Sequence, residues 1–209
     1  MRVAIILIAA LPLFVPVGAL AEESSIILAE TLEQDLQRYF ANPCDSTAKP
    51  VLSLIPAGRY STLSLPNQEA AIRFEELIDN NLTNLSMLIE SRNAHAIRVG
   101  LALQCFSYDH HVKNALAITL ANLAISDLPF LLRQARKIQL SAEVFADTLS
   151  CSGVCGYDDD ALEKLSARLD SLQKYCKRNS LRYCSLSISC IQQEITNVQE
   201  DTKPIIPAD

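Results

Sequence analysis

The sequence predicts an all-α fold: a compact multi-helix domain with some features of an irregular solenoid, followed by a C-terminal antiparallel helical hairpin stabilised by a disulfide. The chain of 209 residues has only 5 glycines and no tryptophan, and its abundant Leu and Ala favour helices. Beyond residue 66 the apolar residues recur at helical spacing, and none of the segments there alternates convincingly. Seven cysteines supply thiols for cross-links.

The first 21 residues have the pattern of a secretory signal peptide. Arg2 precedes an apolar run, and an Ala-Leu-Ala cleavage motif ends at Ala21. Prolines interrupt the run, which is shorter than a bilayer-spanning helix, and no later segment is expected to span a membrane. We therefore expect a periplasmic or secreted protein that is cleaved after Ala21.

The charge balance disfavours nucleic acid as a partner. The chain has 18 Lys and Arg residues against 24 Asp and Glu residues, a net charge of −6. Cleavage after Ala21 removes Arg2 alone from this set, which leaves 17 − 24 = −7. Phosphate binding needs a basic face, so a protein partner is the prediction.

The first predicted helix begins at Ser25 as its N-cap and ends near Asn42-Pro43. Its apolar stripe consists of Leu28, Leu32, Leu36 and Tyr39. Residues 43–66 form a proline-rich loop, in which the short runs 51–55 and 60–65 alternate. These two runs fit either a small hairpin or an extended loop packed on helices.

Asn67 is predicted to cap one long helix whose apolar stripe consists of Ala71, Phe74, Ile78, Leu82, Leu85 and Ile89. Helices over 94–105 and 111–125 are apolar nearly all round, so both are expected at the centre of the fold. The next helix begins at Ser126 or Asp127, with Pro129 in its first turn.

A short helix over Ser141–Leu149 completes the first domain, which is predicted to cover residues 22–150. This succession of short helices resembles a helical-repeat array of the HEAT or armadillo type. No fixed period places matching residues at matching positions, so a compact multi-helix domain is preferred.

The second unit, residues 151–199, is a predicted cysteine-rich hairpin of two helices joined at 177–180, and 200–209 form a flexible tail. Its two apolar stripes consist of Leu162, Leu165, Leu169, Leu172 and Cys176, and of Leu181, Cys184, Ile188, Ile191, Ile195 and Val198. Folding the chain at 177–180 brings Cys176 and Cys184 together at the seam. We therefore predict a disulfide between them.

All seven cysteines lie beyond the cleavage site, and an exported chain is expected to form disulfides. Because the number is odd, one thiol is expected to stay free or to link two copies covalently. Cys190 lies off the hairpin seam, and its predicted partners are the Cys151–Cys155 loop or Cys105. The candidates are Cys44, Cys105, Cys151, Cys155, Cys176, Cys184 and Cys190.

Motifs of catalytic type are sparse. Asp109-His110-His111 is the tripeptide of the DHH phosphoesterases, but His95 is the only other histidine, so a turn capped by Asp109 is preferred. Cys151 and Cys155 are one residue too far apart for a thiol oxidoreductase motif, which favours structural disulfides. The acidic run 158–160 suits a helix N-terminus. We expect neither a metal nor a cofactor.

Four cations gather near the tip of the predicted hairpin: Lys174, Lys177, Arg178 and Arg182. They complement a helix C-terminus, and contact with an anionic partner is the alternative. Asn81 and Asn84 begin formal glycosylation sequons, which matter only in a eukaryotic source.

The sequence thus favours an exported non-catalytic module that binds or assembles with another protein of the cell envelope or secreted fraction. One alternative is an envelope enzyme or thiol-redox factor that uses Cys151 and Cys155. Another is a secreted effector that acts on a host target.

The signal-peptide assignment predicts that the exported protein begins at Glu22, because the cleavage motif ends at Ala21. Intact-mass analysis of the exported chain measures this directly. A mature chain that retains Leu20, or a membrane-embedded full-length form, would refute the assignment.

Overall fold

The structure, a computed structural model, describes residues 17–54, 65, 67–106, 110–151, 160–177 and 182–201, with side chains except those of 17–28, 110 and 201. Within these ranges the chain forms nine helices and no strand, which confirms the all-α prediction. The helices are α1 (Val17–Ala41), α2 (Asp45–Ser53), α3 (Gln68–Asp79), α4 (Leu82–Glu90), α5 (Ala94–Leu103), α6 (His110–Lys137), α7 (Ala142–Ser150), α8 (Ala161–Cys176) and α9 (Arg182–Asp201).

The first helix starts earlier than predicted. Because α1 begins at Val17, Ser25 lies inside the helix, and its prediction as the N-cap is wrong for the full-length chain. The predicted inner stripe is confirmed at Leu32, Leu36 and Tyr39, which are buried. Helix α1 packs against α2 and α3.

Helix α2 replaces the extended run predicted at 51–55, which is wrong for residues 51–53. Thr47 starts the helix, because its hydroxyl oxygen accepts the backbone N–H of Cys44 at 3.2 Å. Ala48 and Val51 are buried where α2 packs against α1 and α5. A helix therefore forms here because it places both side chains on the buried face. Of the other alternating run, 60–65, residues 60–64 lie outside the described residues.

The long helix predicted from Asn67 is two helices, α3 and α4. The Asn67 cap is confirmed: its side-chain oxygen accepts the Ala70 N–H at 2.8 Å. The break falls at Asn81, whose side-chain amide donates to the Leu77 carbonyl at 2.8 Å and so competes with the helical backbone. The apolar stripe continues across the break, with Ile78 and Leu85 both buried.

Helices α5 and α6 occupy the centre, as predicted. Helix α5 packs against α2, α4 and α6, and α6 packs also against α3, α4, α7 and α8. Gly100 allows the close approach of α4 to α5, since a Cβ atom there would lie 2.9 Å from Ile89 Cδ1. The centre is therefore a tightly packed crossing of apolar helices.

Helix α6 is kinked at Asp127, which has non-helical angles of φ −153° and ψ 61°. The Asp127 side chain accepts the Phe130 N–H at 3.1 Å, so it caps the second segment. Pro129 lies in the first turn of that segment, where the missing N–H has no cost. The prediction that a new helix begins at Ser126 or Asp127 is confirmed.

The stretch His111–Lys137 is long and apolar enough to cross a membrane, with a mean hydropathy of 1.8 in its best window. The expectation that no segment after residue 21 meets these criteria is therefore wrong. In the fold, 50% of that window is buried against other helices, as in the core helix of a globular domain. The high hydropathy of α6 is explained by its central position, because the surrounding helices pack against it.

The C-terminal hairpin consists of α8 and α9, and the predicted Cys176–Cys184 disulfide is confirmed, with Cα atoms 5.9 Å apart. The bond closes a short loop and contributes about 2 to 3 kcal/mol by restricting the unfolded chain. Helix α9 runs to Asp201, past the predicted start of the tail at residue 200. It packs against α7 as well as α8, so the hairpin shares one core with the preceding helices.

Arg168 ties α8 to the rest of the fold, although only 1% of its surface is exposed. Its guanidinium donates to the carbonyls of Leu149 at 3.3 Å and Cys151 at 2.5 Å, and to the Asn122 side-chain oxygen at 3.2 Å. A buried arginine needs such partners, because an uncompensated buried charge is strongly destabilising. The guanidinium therefore fixes α8 against the end of α7 and the side of α6.

We predict that Arg168→Met lowers the free energy of unfolding by about 2 to 4 kcal/mol, because it leaves buried acceptors unpaired while retaining the apolar stem. Lys174→Met, an exposed change on the same helix, is expected to cost less than about 0.5 kcal/mol. Urea unfolding followed by circular dichroism measures both. Equal stability of the two variants would show that the guanidinium is not a structural tie.

Candidate functional site

The predicted cation cluster at the hairpin tip is only partly a surface patch. Arg182 pairs with Glu143 of α7, and the neighbouring Tyr183 hydroxyl donates to the Leu140 carbonyl. These contacts hold α9 on α7. Arg178 lies outside the described residues. Lys174 and Lys177 are exposed at the end of α8.

A groove opens between the kink of α6 and the C-terminal half of α8, with a volume of about 510 Å³. One wall contains three exposed residues around the kink, Ile125, Ser126 and Pro129. The other wall belongs to α8 and includes Lys174. The complete lining is Ile125, Ser126, Leu128, Pro129, Ser171, Lys174 and Tyr175.

The two walls of this α6–α8 groove are held at a set distance. The Ser171 hydroxyl donates to the Ala124 carbonyl at 2.9 Å, directly before the kink. Arg92 of the α4–α5 connection pairs with Asp127 at 3.7 Å, on the other side of the capping carboxylate. Ile125 is 40% exposed at the edge of this groove.

Cys44 is the thiol with the most perturbed environment among the exposed or half-buried cysteines of the described chain. Its sulfur lies 3.0 Å from the Ser46 hydroxyl and 3.4 Å from the Thr47 hydroxyl. These hydrogen bonds, Ser46 first, lower the pKa of the Cys44 thiol to about 7. Near neutral pH a substantial fraction is therefore thiolate, the nucleophilic form.

The other thiols are less activated. Cys105 is buried at the end of α5, and burial raises its pKa to about 11. Burial likewise raises the pKa of half-buried Cys190, and the nearby Asp147 carboxylate adds to the effect. Neither is disulfide-bonded, so the prediction that Cys190 pairs with the Cys151–Cys155 loop or with Cys105 is wrong.

The expectation that six of the seven cysteines pair is also wrong, since Cys44, Cys105 and Cys190 are all thiols. The reason is geometric, because Cys105 is enclosed in the core and Cys44 caps a different helix. The Cys151 sulfur lies 3.8 Å from the Asn114 carbonyl oxygen. Cys155 lies outside the described residues, so its pairing stays a prediction.

His95 is half-buried and contacts the core residue Tyr39. Its Nδ1 lies 3.1 Å from the Tyr39 hydroxyl oxygen. Burial raises the pKa of Tyr39 and lowers the pKa of His95, so both side chains are neutral near pH 7 and form a neutral hydrogen bond. In the described part of the chain, no group of three His, Cys, Asp or Glu side chains is placed to hold a metal.

The remaining predicted residues fall in different places. His111 is exposed at the start of α6, while Asp109 and the side chain of His110 lie outside the described residues. The acidic run is described only at Asp160, which pairs with Lys164 one turn later at 2.7 Å, consistent with a helix start. Asn84 is exposed on α4.

The chain matches no known family model, and neither a curated protein nor a solved structure shows significant similarity to it. Its class is therefore defined by the fold and the sites themselves, as a disulfide-containing all-α protein.

Two features of these sites escaped the sequence analysis. The α6–α8 groove depends on residues far apart in sequence, and no local pattern indicates it. The activated thiol has a local signal, since Ser46 and Thr47 directly follow Cys44 and suit a helix start. That signal was hidden by the prolines around it, which favoured a loop.

We predict that Cys44 in the folded chain is alkylated by iodoacetamide at half its maximal rate near pH 7, whereas an ordinary cysteine reaches this point at about 8.5. Below pH 7 the rate falls, because the thiolate is protonated. Ser46→Ala removes the strongest hydrogen bond and is expected to move the midpoint upward.

Ser53→Ala, which removes a hydroxyl from the other end of α2, is the matched control and is expected to leave the midpoint unchanged. Peptide-resolved mass spectrometry after timed labelling measures each cysteine separately. A Cys44 midpoint at about 8.5 in the unaltered chain would contradict the assigned environment.

Proposed function

We propose that the protein is an exported, non-catalytic module that binds another protein through the α6–α8 groove. The observation that carries the proposal is Ile125, a large apolar side chain that is 40% exposed at the edge of a cavity of about 510 Å³. A concave site that is lined by apolar and aromatic side chains with a few polar groups is typical of a binding site, and this groove has that lining.

The chemistry of the groove defines the partner that fits. Ile125, Pro129 and Tyr175 provide apolar and aromatic surface, which favours an apolar side chain of the partner as the central anchor. Lys174 provides a cation at the rim, which favours a neighbouring acidic residue. An amphipathic segment with an apolar anchor and a flanking carboxylate combines both features.

Export is supported by two independent features. The first 21 residues have the composition of a signal peptide. The Cys176–Cys184 disulfide is typical of oxidising compartments such as the periplasm or the extracellular space. Together they favour a partner in the envelope or the secreted fraction.

The alternatives have less support. A thiol-redox role for Cys151 and Cys155 stays a prediction, because Cys155 lies outside the described residues. An effector role would place the same groove against a host protein. The lining residues would then favour the same partner chemistry as for a partner in the cell envelope. A binding module therefore covers both the envelope and the effector interpretation.

Ile125→Asp is expected to reduce capture of the partner from the exported fraction at least about tenfold, because a carboxylate in the groove repels an acidic segment and removes apolar contact. Ile72→Asp is the matched control, since Ile72 is also apolar and 47% exposed but lies on α3. Its capture is expected to equal that of the unaltered chain.

Quantitative mass spectrometry of the captured proteins identifies the partner, and calorimetry with the purified pair confirms the affinities. A protein lost with Ile125→Asp and retained with Ile72→Asp supports the groove. Equal retention by both variants would exclude it as the binding surface, and turnover of a dithiol substrate would favour the redox alternative.

A further inference from the structure

A second cavity, of about 420 Å³, opens between α2, α5 and the C-terminal end of α6. We call it the cationic cleft, because it contains one basic residue from each of these three helices, Lys49, Arg98 and Lys137. The remaining lining residues are Asp45, Leu52 and Ala94, and an adjoining cavity of about 370 Å³ adds Ser53, Ile138 and Gln139.

The charge of this cleft is opposite to that of the whole chain. Three cations and one carboxylate line it, a net charge of +2, whereas the chain has a net charge of −6. Lys49 and Lys137 are exposed, and neither has an ion-pair partner among the described residues. Two cations therefore remain available to an anion in a shared concave site.

Arg98 is held in place at the side of the cleft. Its Nη2 donates to the Asp45 carboxylate and its Nε donates to the Ala94 carbonyl at 3.1 Å. The side chain is 21% exposed, and Nη1 has no acceptor among the described residues. The guanidinium is thus oriented before a ligand arrives, which lowers the entropic cost of binding.

A favourable interaction with the dipole at a helix C-terminus accounts for the position of only one of the three cations. Lys137 ends α6, where a positive charge is favoured without any ligand. Lys49 lies in the middle of α2, and Arg98 lies near the middle of α5, so neither is at a helix C-terminus. Their convergence with Lys137 requires the tertiary packing of α2 on α5.

The apolar part of the lining restricts the ligand further. Leu52, Ala94 and Ile138 lie beside the cations and offer contact to a short apolar group. The volume suits a small molecule, as expected for ligand cavities of a few hundred Å³.

We propose that the cationic cleft binds a small phosphate monoester. The dianionic phosphate group matches the net charge of +2 and accepts from Lys49, Lys137 and the unused Nη1 of Arg98, since lysine and arginine donors suit phosphate oxygens. The ester substituent packs against Leu52 and Ile138. This inference is independent of the α6–α8 groove.

The test is calorimetric titration of the full purified chain, at constant ionic strength, with phenyl phosphate, inorganic phosphate and succinate. Phenyl phosphate is expected to bind saturably and more tightly than inorganic phosphate, because its ring contacts the apolar lining. Succinate is expected to bind more weakly, because its two charges are spread over separate carboxylates.

The double change Lys49→Gln and Lys137→Gln is expected to weaken phenyl phosphate binding about tenfold or more. The matched control is Arg73→Gln with Lys177→Gln, which removes the same charge from exposed positions that line neither cavity. Its affinity is expected to stay within about twofold of the unaltered chain. Circular dichroism of each variant checks that the fold is retained.

Three results would overturn the proposal. They are the absence of saturable binding, an equal loss of affinity in both double variants, and unchanged affinity in the Lys49 and Lys137 variant. Tighter binding of succinate than of phenyl phosphate would overturn the assignment to phosphate monoesters. Selective loss in the Lys49 and Lys137 variant, with phenyl phosphate preferred, supports it.

Discussion

The arrangement of the C-terminal half depends on the burial of one guanidinium. Arg168 is excluded from water, so its charge must be compensated within the protein. Two of its acceptors, the carbonyls of Leu149 and Cys151, lie at the end of α7, where helix carbonyls carry partial negative charge. A third, Asn122, lies on α6. These contacts hold α8 against α7 and α6 through the two Nη atoms of Arg168, while its buried Nε has no acceptor among the described residues, and the Cys176–Cys184 bond links α9 to α8.

Because of the kink at Asp127, the central helix α6 both packs in the core and lines two surface cavities. A straight α6 would continue its hydrogen bonding past residue 127, whereas Asp127 interrupts it and caps a new segment. The first segment packs in the core, and the change of direction leaves Ile125 and Pro129 at the surface beside α8. The far end of the same helix supplies Lys137 to the cationic cleft. One helix thus connects two cavities of different chemistry, one mainly apolar and one cationic.

The cysteines show how strongly the environment decides the chemistry of one residue type. Hydroxyl donors hold the pKa of Cys44 at about 7, whereas burial raises that of Cys105 to about 11. Cys176 and Cys184 share a seam and are bonded. Among the described cysteines, the expectation of disulfides is confirmed for this pair alone, which the seam positions on either side of the interhelical turn predicted. The chemistry of Cys44, Cys105 and Cys190 depends on their distance from any partner and on their access to water.

The sequence by itself determined the helical class, the cap at Asn67, a helix start at Ser126 or Asp127, and the disulfide between Cys176 and Cys184, because each depends on neighbours within a few turns. It misassigned α2 as an extended run, since burial of Ala48 and Val51 against α1 and α5 outweighs the local effect of Pro50. Only the tertiary structure decided the burial of Arg168, the α6–α8 groove and the cationic cleft. Each of these brings together residues from separate helices, and apolar periodicity specifies which face of a helix is buried but not which helix covers it.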